Sequence, residues 1–186
     1  LLKKKNRHIF CLVVCAMKRI LYILCLCALM LSCTKEDRKL ALVTQEENID
    51  KYINNLRGVR IARNGGSNRL VFAEGRGTDS LALGDSVKFY YAGYVFSNGK
   101  GSLFATNDTL VAKNNGFELS GGIEEKVLSS KDMVRGLANG LVGAKAGEKC
   151  EVVFSAKYGY DNDVVYNVPK MSPLIFEIWV EGIVKN

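Results

Sequence analysis

The chain has 186 residues, of which 48% are apolar and 24% are charged, a composition that suits one folded domain with a short additional element. Its formal net charge is +7, but six basic residues and no acid fall in residues 1–32, which leaves about +1 for the rest. The rest therefore lacks the basic face that a nucleic-acid partner requires, and we predict no such partner.

Residues 1–32 have the organisation of a secretory signal peptide. A basic pair follows Met17, where we expect translation to begin, and an uncharged run follows at 20–31. This run is too short to span a bilayer as a helix and suits the apolar region of a signal. The alternative is a signal anchor over 9–31, in which each charge of the basic pair would cost about 2.5–3.5 kcal/mol on insertion scales.

Residues 30–33, Met-Leu-Ser-Cys, resemble the cleavage site of bacterial lipoproteins. In that family of signals a small residue precedes a cysteine, which becomes the lipid-modified N-terminus. The resemblance implies that Cys33 is lipidated and that 33–43 forms a lipid-anchored tether in a bacterial cell envelope, on an outer-membrane, periplasmic or surface face. The Lys-Glu-Asp run at 35–37 resembles the surface-export signal of Bacteroidetes lipoproteins, although it suits a solvated tether equally well.

Residues 44–80 predict a helix followed by a β-hairpin. Thr44 opens the capping-box sequence Thr-Gln-Glu-Glu, so we expect the helix to begin there. Gly58 suits the end of the helix. The apolar residues between them recur at helical spacing: Ile49, Tyr52, Ile53 and Leu56. Two strand-like segments, 59–61 and 70–72, flank the turn sequence Asn-Gly-Gly-Ser-Asn.

Residues 81–186 predict an antiparallel sheet with one short helix, which makes the fold class α+β. The run 86–96 is rich in aromatic and β-branched residues and ends at an Asn-Gly turn, which is typical of a strand. Further strands are expected at 102–106, 117–119, 148–156 and 173–184. The adjacent acids Glu124 and Glu125 predict an exposed loop, and 157–172 predicts a long one.

The short helix is expected to begin after Asp132, whose side chain would cap it. Met133, Leu137 and Leu141 recur at helical spacing. Glycines at 136 and 140 weaken the helix and predict close packing against the sheet. Cys150 lies in a strand-like run and is expected to be a small buried residue.

Ordinary catalytic groups are scarce in the predicted mature chain. The only histidine, His8, lies in the leader, so Ser-His-Asp and Cys-His sites are excluded there, and we predict neither metal nor cofactor. A two-carboxylate hydrolase stays an alternative, since such a pair need not be close in sequence. Aromatic rings are abundant instead, and Phe89 and Tyr91 share one face of their strand because side chains alternate. Core packing is the simplest role for any one ring, but Tyr91 is a candidate for a concave face.

The order of short motifs in residues 81–186 resembles the FKBP family of peptidyl-prolyl cis–trans isomerases. These motifs are Gly-Asp-Ser-Val at 84–87, Tyr-Ala-Gly-Tyr at 91–94, Asn-Gly at 98–99, Met-Val-Arg-Gly-Leu at 133–137, Tyr-Gly-Tyr at 158–160, Val-Pro at 168–169 and Leu-Ile-Phe-Glu-Ile at 174–178. The resemblance implies an FKBP-like antiparallel half-barrel sheet wrapped on a short helix. A proline-containing segment would bind in an apolar pocket between them.

The resemblance also assigns the pocket residues by their place in these motifs. The residues expected to act on the prolyl bond are Tyr91, Phe104, Tyr160 and Phe176. The residues expected to bind the substrate are Phe117, Met133, Val134, Leu137 and Val168. Tyr160 would donate its hydroxyl to a ligand carbonyl, and Val134 would offer its backbone amide.

Several residues depart from the family pattern. Ala105 replaces the aspartate of the pocket, Ala156 replaces a common proline, Asp161 replaces a common glycine, and Asn167 replaces an aliphatic residue at the rim. The predicted function is a prolyl isomerase that assists the folding of envelope or secreted proteins. The alternatives are an FKBP-like peptide-binding or chaperone module with weak catalysis, and a glycan-binding surface lipoprotein that uses aromatics such as Trp179.

Overall fold

The computed structural model describes residues 35–118, 122–129 and 131–186. The predicted signal peptide and Cys33 lie outside these residues. The chain divides into two compact units, 1–41 and 42–186. In the first unit the described residues 35–41 are helical. Within the described ranges, no helix combines the length and apolar character needed to cross a bilayer.

Helix α1 covers residues 35–55, so the predicted start at Thr44 is wrong. Residues 38–43, Arg-Lys-Leu-Ala-Leu-Val, contain no glycine or proline and are mostly strong helix formers, which lets the helix extend upstream of the capping-box sequence. Nine residues of the predicted tether, 35–43, are therefore helical. The predicted apolar face is confirmed, because Ile49 and Ile53 are fully buried.

Seven strands in the described residues form one antiparallel sheet. They are β1 Arg60–Asn64, β2 Ser67–Ala73, β3 Ser86–Phe96, β4 Lys100–Thr106, β5 Glu124–Val127, β6 Lys149–Phe154 and β7 Leu174–Val184. The order across the sheet is β1-β2-β6-β7-β3-β4, and β5 also pairs with β3. The β1–β2 hairpin belongs to this sheet, since β2 pairs with β6. The predicted α+β fold, with a helix and a hairpin before the half-barrel, is confirmed.

The segment between β4 and β5 differs from the prediction. It forms helix α2, Thr109–Asn115, where Asp108 accepts the Val111 amide at 2.8 Å and Gly116 ends the helix in a left-handed conformation. Residues 117–118 are not a strand. The two acids expected in an exposed loop lie in β5, because pairing with the first half of β3 stabilises a strand that its own sequence does not favour.

Helix α3, Arg135–Leu141, lies against β6. Its N-cap residue is Val134, whose side chain makes no capping bond, so the predicted cap at Asp132 is wrong. The Asp132 carboxylate instead accepts the Ser129 hydroxyl at 2.6 Å. The predicted close packing is confirmed: a Cβ on Gly136 would lie 2.4 Å from the Phe154 ring.

The sheet separates two apolar clusters, because alternate side chains of each strand point to opposite faces. On β7, Phe176 and Ile178 belong to the larger cluster, which also contains the buried residues of α3. Ile175 belongs to the smaller cluster, in which Ile49 and Ile53 of α1 pack. Helix α3 therefore covers one face of the sheet and residues 42–55 of α1 cover part of the other.

Candidate functional site

A cavity of about 280 Å³ opens between the inner face of β3 and the start of α3. Most of its wall is aromatic or aliphatic, and three charged side chains complete it. The lining residues are Phe89, Tyr91, Phe104, Ala105, Glu124, Lys126, Asp132, Met133, Val134, Leu137, Tyr160, Tyr166 and Phe176. A concave site that combines apolar side chains with a few polar groups is typical of a ligand site.

Phe176 lies at the centre of the aromatic wall. Its ring is edge-on to Phe104, with centroids 5.6 Å apart, and is stacked on Phe154 at 5.9 Å. The Tyr91 ring lies 6.4 Å away on the adjacent strand. Gly93 permits this arrangement, because a Cβ there would lie 2.8 Å from both the Phe104 and Phe176 rings. The small residue on β3 thus lets two rings meet behind the cavity.

Tyr91 is held where two partner strands of β3 leave a gap. Strand β5 pairs with residues 86–89 and β4 with residues 92–96, so Tyr91 has no strand partner on that side. Asn107 fills the gap: its side-chain oxygen accepts the Tyr91 amide at 2.6 Å, and its amide donates to the Phe89 carbonyl at 3.1 Å. The Thr106 hydroxyl donates to the Tyr91 carbonyl at 2.7 Å.

Both tyrosine hydroxyls in the inner wall resist ionisation. Burial, followed by the charge of Glu124, raises the pKa of Tyr91 to about 12. Burial also raises the pKa of Tyr160. At neutral pH both hydroxyls therefore keep their protons, and the Tyr160 hydroxyl can donate a hydrogen bond to a ligand carbonyl.

Glu124 brings a carboxylate into the cavity from β5. It lies opposite Phe89 in the antiparallel register, and residues opposite each other point to the same face, so its side chain shares the cavity with Tyr91. Lys126 lines the same side, 3.4 Å from the carboxylate. The next residue, Glu125, points to the other face, where it pairs with Lys88 at 3.3 Å.

Seven of the nine predicted pocket residues line the cavity: Tyr91, Phe104, Met133, Val134, Leu137, Tyr160 and Phe176. Phe117 does not. It follows α2 and is 36% exposed, and residues 117–118 do not form the strand expected at 117–119. Val168 is fully buried in the larger cluster and is absent from the cavity wall, which leaves it no surface for a ligand.

The departures noted in the sequence have structural consequences. Ala105 lines the cavity with a methyl group, so position 105 supplies no charge. Asp161 has a φ of 52°, the left-handed region in which glycine is favoured. Asn167 donates to the Leu103 carbonyl at 3.4 Å. The buried position of Cys150 is confirmed.

Several residues of the site were missed by the sequence analysis. Tyr166 is 81% exposed at the cavity mouth. The sequence pointed to it only as one of several tyrosines in the loop 157–172. Asn107 had a clearer signal, since Thr-Asn-Asp-Thr at 106–109 ends a strand and begins a capped helix. No group of three or more His, Cys, Asp or Glu side chains is placed to hold a metal in the part of the chain that the structure describes.

A family model, FKBP-type peptidyl-prolyl cis–trans isomerase, matches residues 77–181, which is more than half of the chain. The chain belongs to this family. The cavity lies inside the matched region and between the sheet and the short helix of the FKBP domain. The hairpin and α1 precede the matched region.

Solved FKBP structures share this fold. A peptidyl-prolyl cis–trans isomerase from Pseudomonas syringae pv. tomato has a TM-score of 0.58 and 18% identity, over 79% of this chain and 96% of that one. FkpA from Escherichia coli has a TM-score of 0.56 and 18% identity, over 81% of this chain and 64% of that one. The structure of the three FKBP domains of wheat FKBP73 has a TM-score of 0.55 and 19% identity, over 69% of this chain and 50% of that one. This chain therefore spans half the length of the three-domain wheat chain. No curated protein matches the chain.

Proposed function

We propose that the FKBP domain catalyses cis–trans isomerisation of prolyl bonds in polypeptides that fold in a bacterial envelope. The observation that carries this proposal is the aromatic cavity, in which Tyr91, Phe104, Tyr160 and Phe176 meet. Its volume of about 280 Å³ suits a proline ring and parts of its neighbours. The substrate would be a proline-containing segment of an unfolded or folding chain.

The chemistry requires no nucleophile. Resonance in the C–N bond produces a barrier of about 18–20 kcal/mol, and uncatalysed exchange takes roughly tens to hundreds of seconds. Water stabilises the charge that resonance places on the carbonyl oxygen. An apolar pocket removes that water and so favours the twisted amide, which has less charge separation. Phe104 and Phe176 would hold the ring, while the Tyr160 hydroxyl donates to a carbonyl and fixes the chain on one side.

Replacing Tyr91 by alanine should lower kcat/KM on a short Xaa-Pro peptide by at least about tenfold, or about 1.4 kcal/mol in the transition state. The matched control is Tyr94→Ala, since Tyr94 is on the same strand but packs in the cluster on the opposite face. Turnover of the full chain is measured beside circular dichroism and thermal unfolding. Equal losses in both variants, or none in Tyr91→Ala, would contradict the assignment.

The alternative is a module that binds prolyl segments with little catalysis. Ala105 favours it, because position 105 gives the cavity a methyl group and no carboxylate. A peptide that binds the full chain in a fluorescence titration, without accelerated exchange in the turnover assay, would establish this alternative. Acceleration at the same peptide concentration would exclude it.

We further propose that the protein is a bacterial lipoprotein, of the Bacteroidetes type, anchored through Cys33. The support is the basic, apolar and small-residue order of 17–33, which ends in Ser-Cys. Mass spectrometry of the N-terminal peptide from the membrane fraction should show a lipid-modified Cys33, and Cys33→Ser should release the protein from that fraction. An unmodified cysteine, or a membrane-bound Cys33→Ser variant, would refute the anchor.

A further inference from the structure

The side chain of Gln45, on α1, joins the two ends of the loop between β6 and β7. Its Nε2 donates to the Met171 carbonyl at 2.7 Å, and its Oε1 accepts the Ala156 amide at 2.9 Å. A glutamine side chain carries the same donor and acceptor as a peptide group. Gln45 thus takes the place of a backbone pair at the base of this segment, which we call the 156–171 loop.

A side-chain partner is needed here because the pairing of β6 with β7 ends before it reaches Ala156 and Met171. The pairing of β6 with β7 stops at Phe154 and Leu174. The next residue on the β7 side is Pro173, which has no amide hydrogen and cannot extend the ladder as a donor. Without Gln45, the Ala156 amide and the Met171 carbonyl would lose their partners at the mouth of the loop.

The bonds to Gln45 complete a closed ring through the loop. The Asp161 amide donates to the Ala156 carbonyl at 3.1 Å, and the Met171 amide donates to the Asp161 carbonyl at 2.6 Å. Asp161 and Met171 both have left-handed φ values, 52° and 57°, which non-glycine residues rarely adopt. Such a conformation persists only when its surroundings hold it, and the ring supplies that constraint.

This ring of hydrogen bonds is adjacent to the cavity. Tyr160 directly precedes Asp161, lines the cavity, and lies 6.2 Å from the Phe104 ring. A shift of the Asp161 backbone would therefore displace the Tyr160 ring and its hydroxyl.

We propose that Gln45 is a positioning residue for the prolyl pocket and acts on Tyr160 through this ring of hydrogen bonds. The inference rests on the proposed function, and it makes α1 part of the working site although the family match begins at residue 77. Burial of Ile49 and Ile53 against the sheet fixes the helix, and so fixes the point from which Gln45 reaches the loop.

The test replaces Gln45 by methionine in the full chain, which removes both hydrogen bonds and keeps a similar volume. Amide exchange in peptides that span 156–171, followed by mass spectrometry, should accelerate about tenfold, since two neutral hydrogen bonds are lost. KM for an Xaa-Pro peptide should rise by about five- to tenfold with little change in kcat, because Tyr160 binds ground state and transition state alike. Gln45→Glu keeps the acceptor for Ala156 but places a carboxylate oxygen against the Met171 carbonyl, so it should also accelerate exchange in the loop.

Two controls separate this role from general stability. Glu47→Gln changes an exposed residue of the same helix and should alter neither readout. Ile49→Val removes one methylene from the buried face of α1 and leaves Ile53 to hold the helix in place, so it should lower the melting temperature while KM stays unchanged. Unchanged loop exchange in Gln45→Met, or an equal rise of KM in Ile49→Val, would overturn the proposal. If the unsubstituted chain shows no turnover, the proposed function fails, whereas the exchange comparison still decides whether Gln45 holds the loop.

Discussion

At the scale of single residues, the pocket combines an apolar wall with the charged side chains of Glu124, Lys126 and Asp132. Glu124 shares the cavity with the Tyr91 hydroxyl, and Lys126 lies 3.4 Å from the same carboxylate. A negative charge near a tyrosine disfavours phenolate, as does burial. The two effects act together on Tyr91, whose pKa of about 12 exceeds the ordinary value by about two.

Glu124→Gln should lower the pKa of Tyr91 toward 10 without reaching it, since burial, the larger cause, is retained. NMR titration of ring-labelled tyrosine, with Tyr91→Phe to assign the signal, measures this pKa.

The raised pKa also affects the stability of the fold. Unfolded Tyr91 ionises near pH 10 and folded Tyr91 near pH 12, so its contribution to stability is present below about pH 10 and is lost as pH rises toward 12. Glu124→Gln should narrow the pH range over which this contribution is lost, because the folded and unfolded pKa values of Tyr91 come closer together.

The control for this prediction is Glu125→Gln. Glu125 is the neighbouring acid on β5, but it faces away from the cavity and pairs with Lys88. Its replacement should leave the Tyr91 titration unchanged. An equal shift in both variants would mean that the effect is a general change of charge and not contact within the pocket.

The sequence predicted residues of the wall wherever short motifs or strand alternation set their direction. Alternation placed Phe89 and Tyr91 on one face, and the cavity contains both. Phe117 was misplaced because its direction depends on how the segment before it folds. Glu124 was missed for a related reason, since a charged residue enters the pocket only through pairing of β5 with β3.

At the scale of secondary structure, the accurate predictions concern elements with a strong local pattern. The strand 86–96 was predicted with the bounds that β3 has, because its β-branched and aromatic run is closed by a turn sequence. Close packing of α3 was also predicted, and its cause is visible at Gly140, where a Cβ would lie 2.2 Å from Val152. These features follow from sequence because they depend on residue size and local order.

The elements that were missed depend on contacts with distant residues. Strand β5 has the sequence Glu-Glu-Lys-Val, which does not favour a strand by itself, and its pairing with β3 stabilises it. Helix α2 had local signals, Asp108 and Gly116, but its seven residues are too few for a periodic pattern. Helix α1 extends beyond its predicted start because a capping-box sequence can also lie inside a helix when strong helix formers precede it.

At the scale of the whole unit 42–186, a buried ion pair connects the hairpin to the FKBP domain. Arg69 of β2 lies 2.5 Å from the Glu148 carboxylate, and both side chains are nearly inaccessible, at 3% and 0% exposure. Arg69 also donates to the Val142 carbonyl at the end of α3, at 3.3 Å. Arg60 of β1 adds a weaker contact with Glu148 at 3.7 Å. Arg69 therefore joins the hairpin both to Glu148, next to β6, and to the end of α3.

Replacing Arg69 by methionine should destabilise the protein by about 3–5 kcal/mol, because it leaves the buried Glu148 side chain with only the distant Arg60 as an ionic partner. The double variant Arg69→Met, Glu148→Leu should recover part of the loss, since two apolar side chains of similar volume carry no desolvation cost. Denaturant unfolding followed by circular dichroism measures both, provided that the m-value stays constant.

The exposed pair Arg63–Asp50 provides the matched comparison. Its atoms lie 3.1 Å apart, and the two side chains are 57% and 52% exposed. Arg63→Met should therefore change the free energy of unfolding by less than about 1 kcal/mol, because solvent screens the pair in both states. If Arg69→Met costs no more than Arg63→Met, the buried pair does not hold the hairpin to the domain. A double variant less stable than Arg69→Met alone would show instead that Glu148 is stabilised by neighbours other than Arg69.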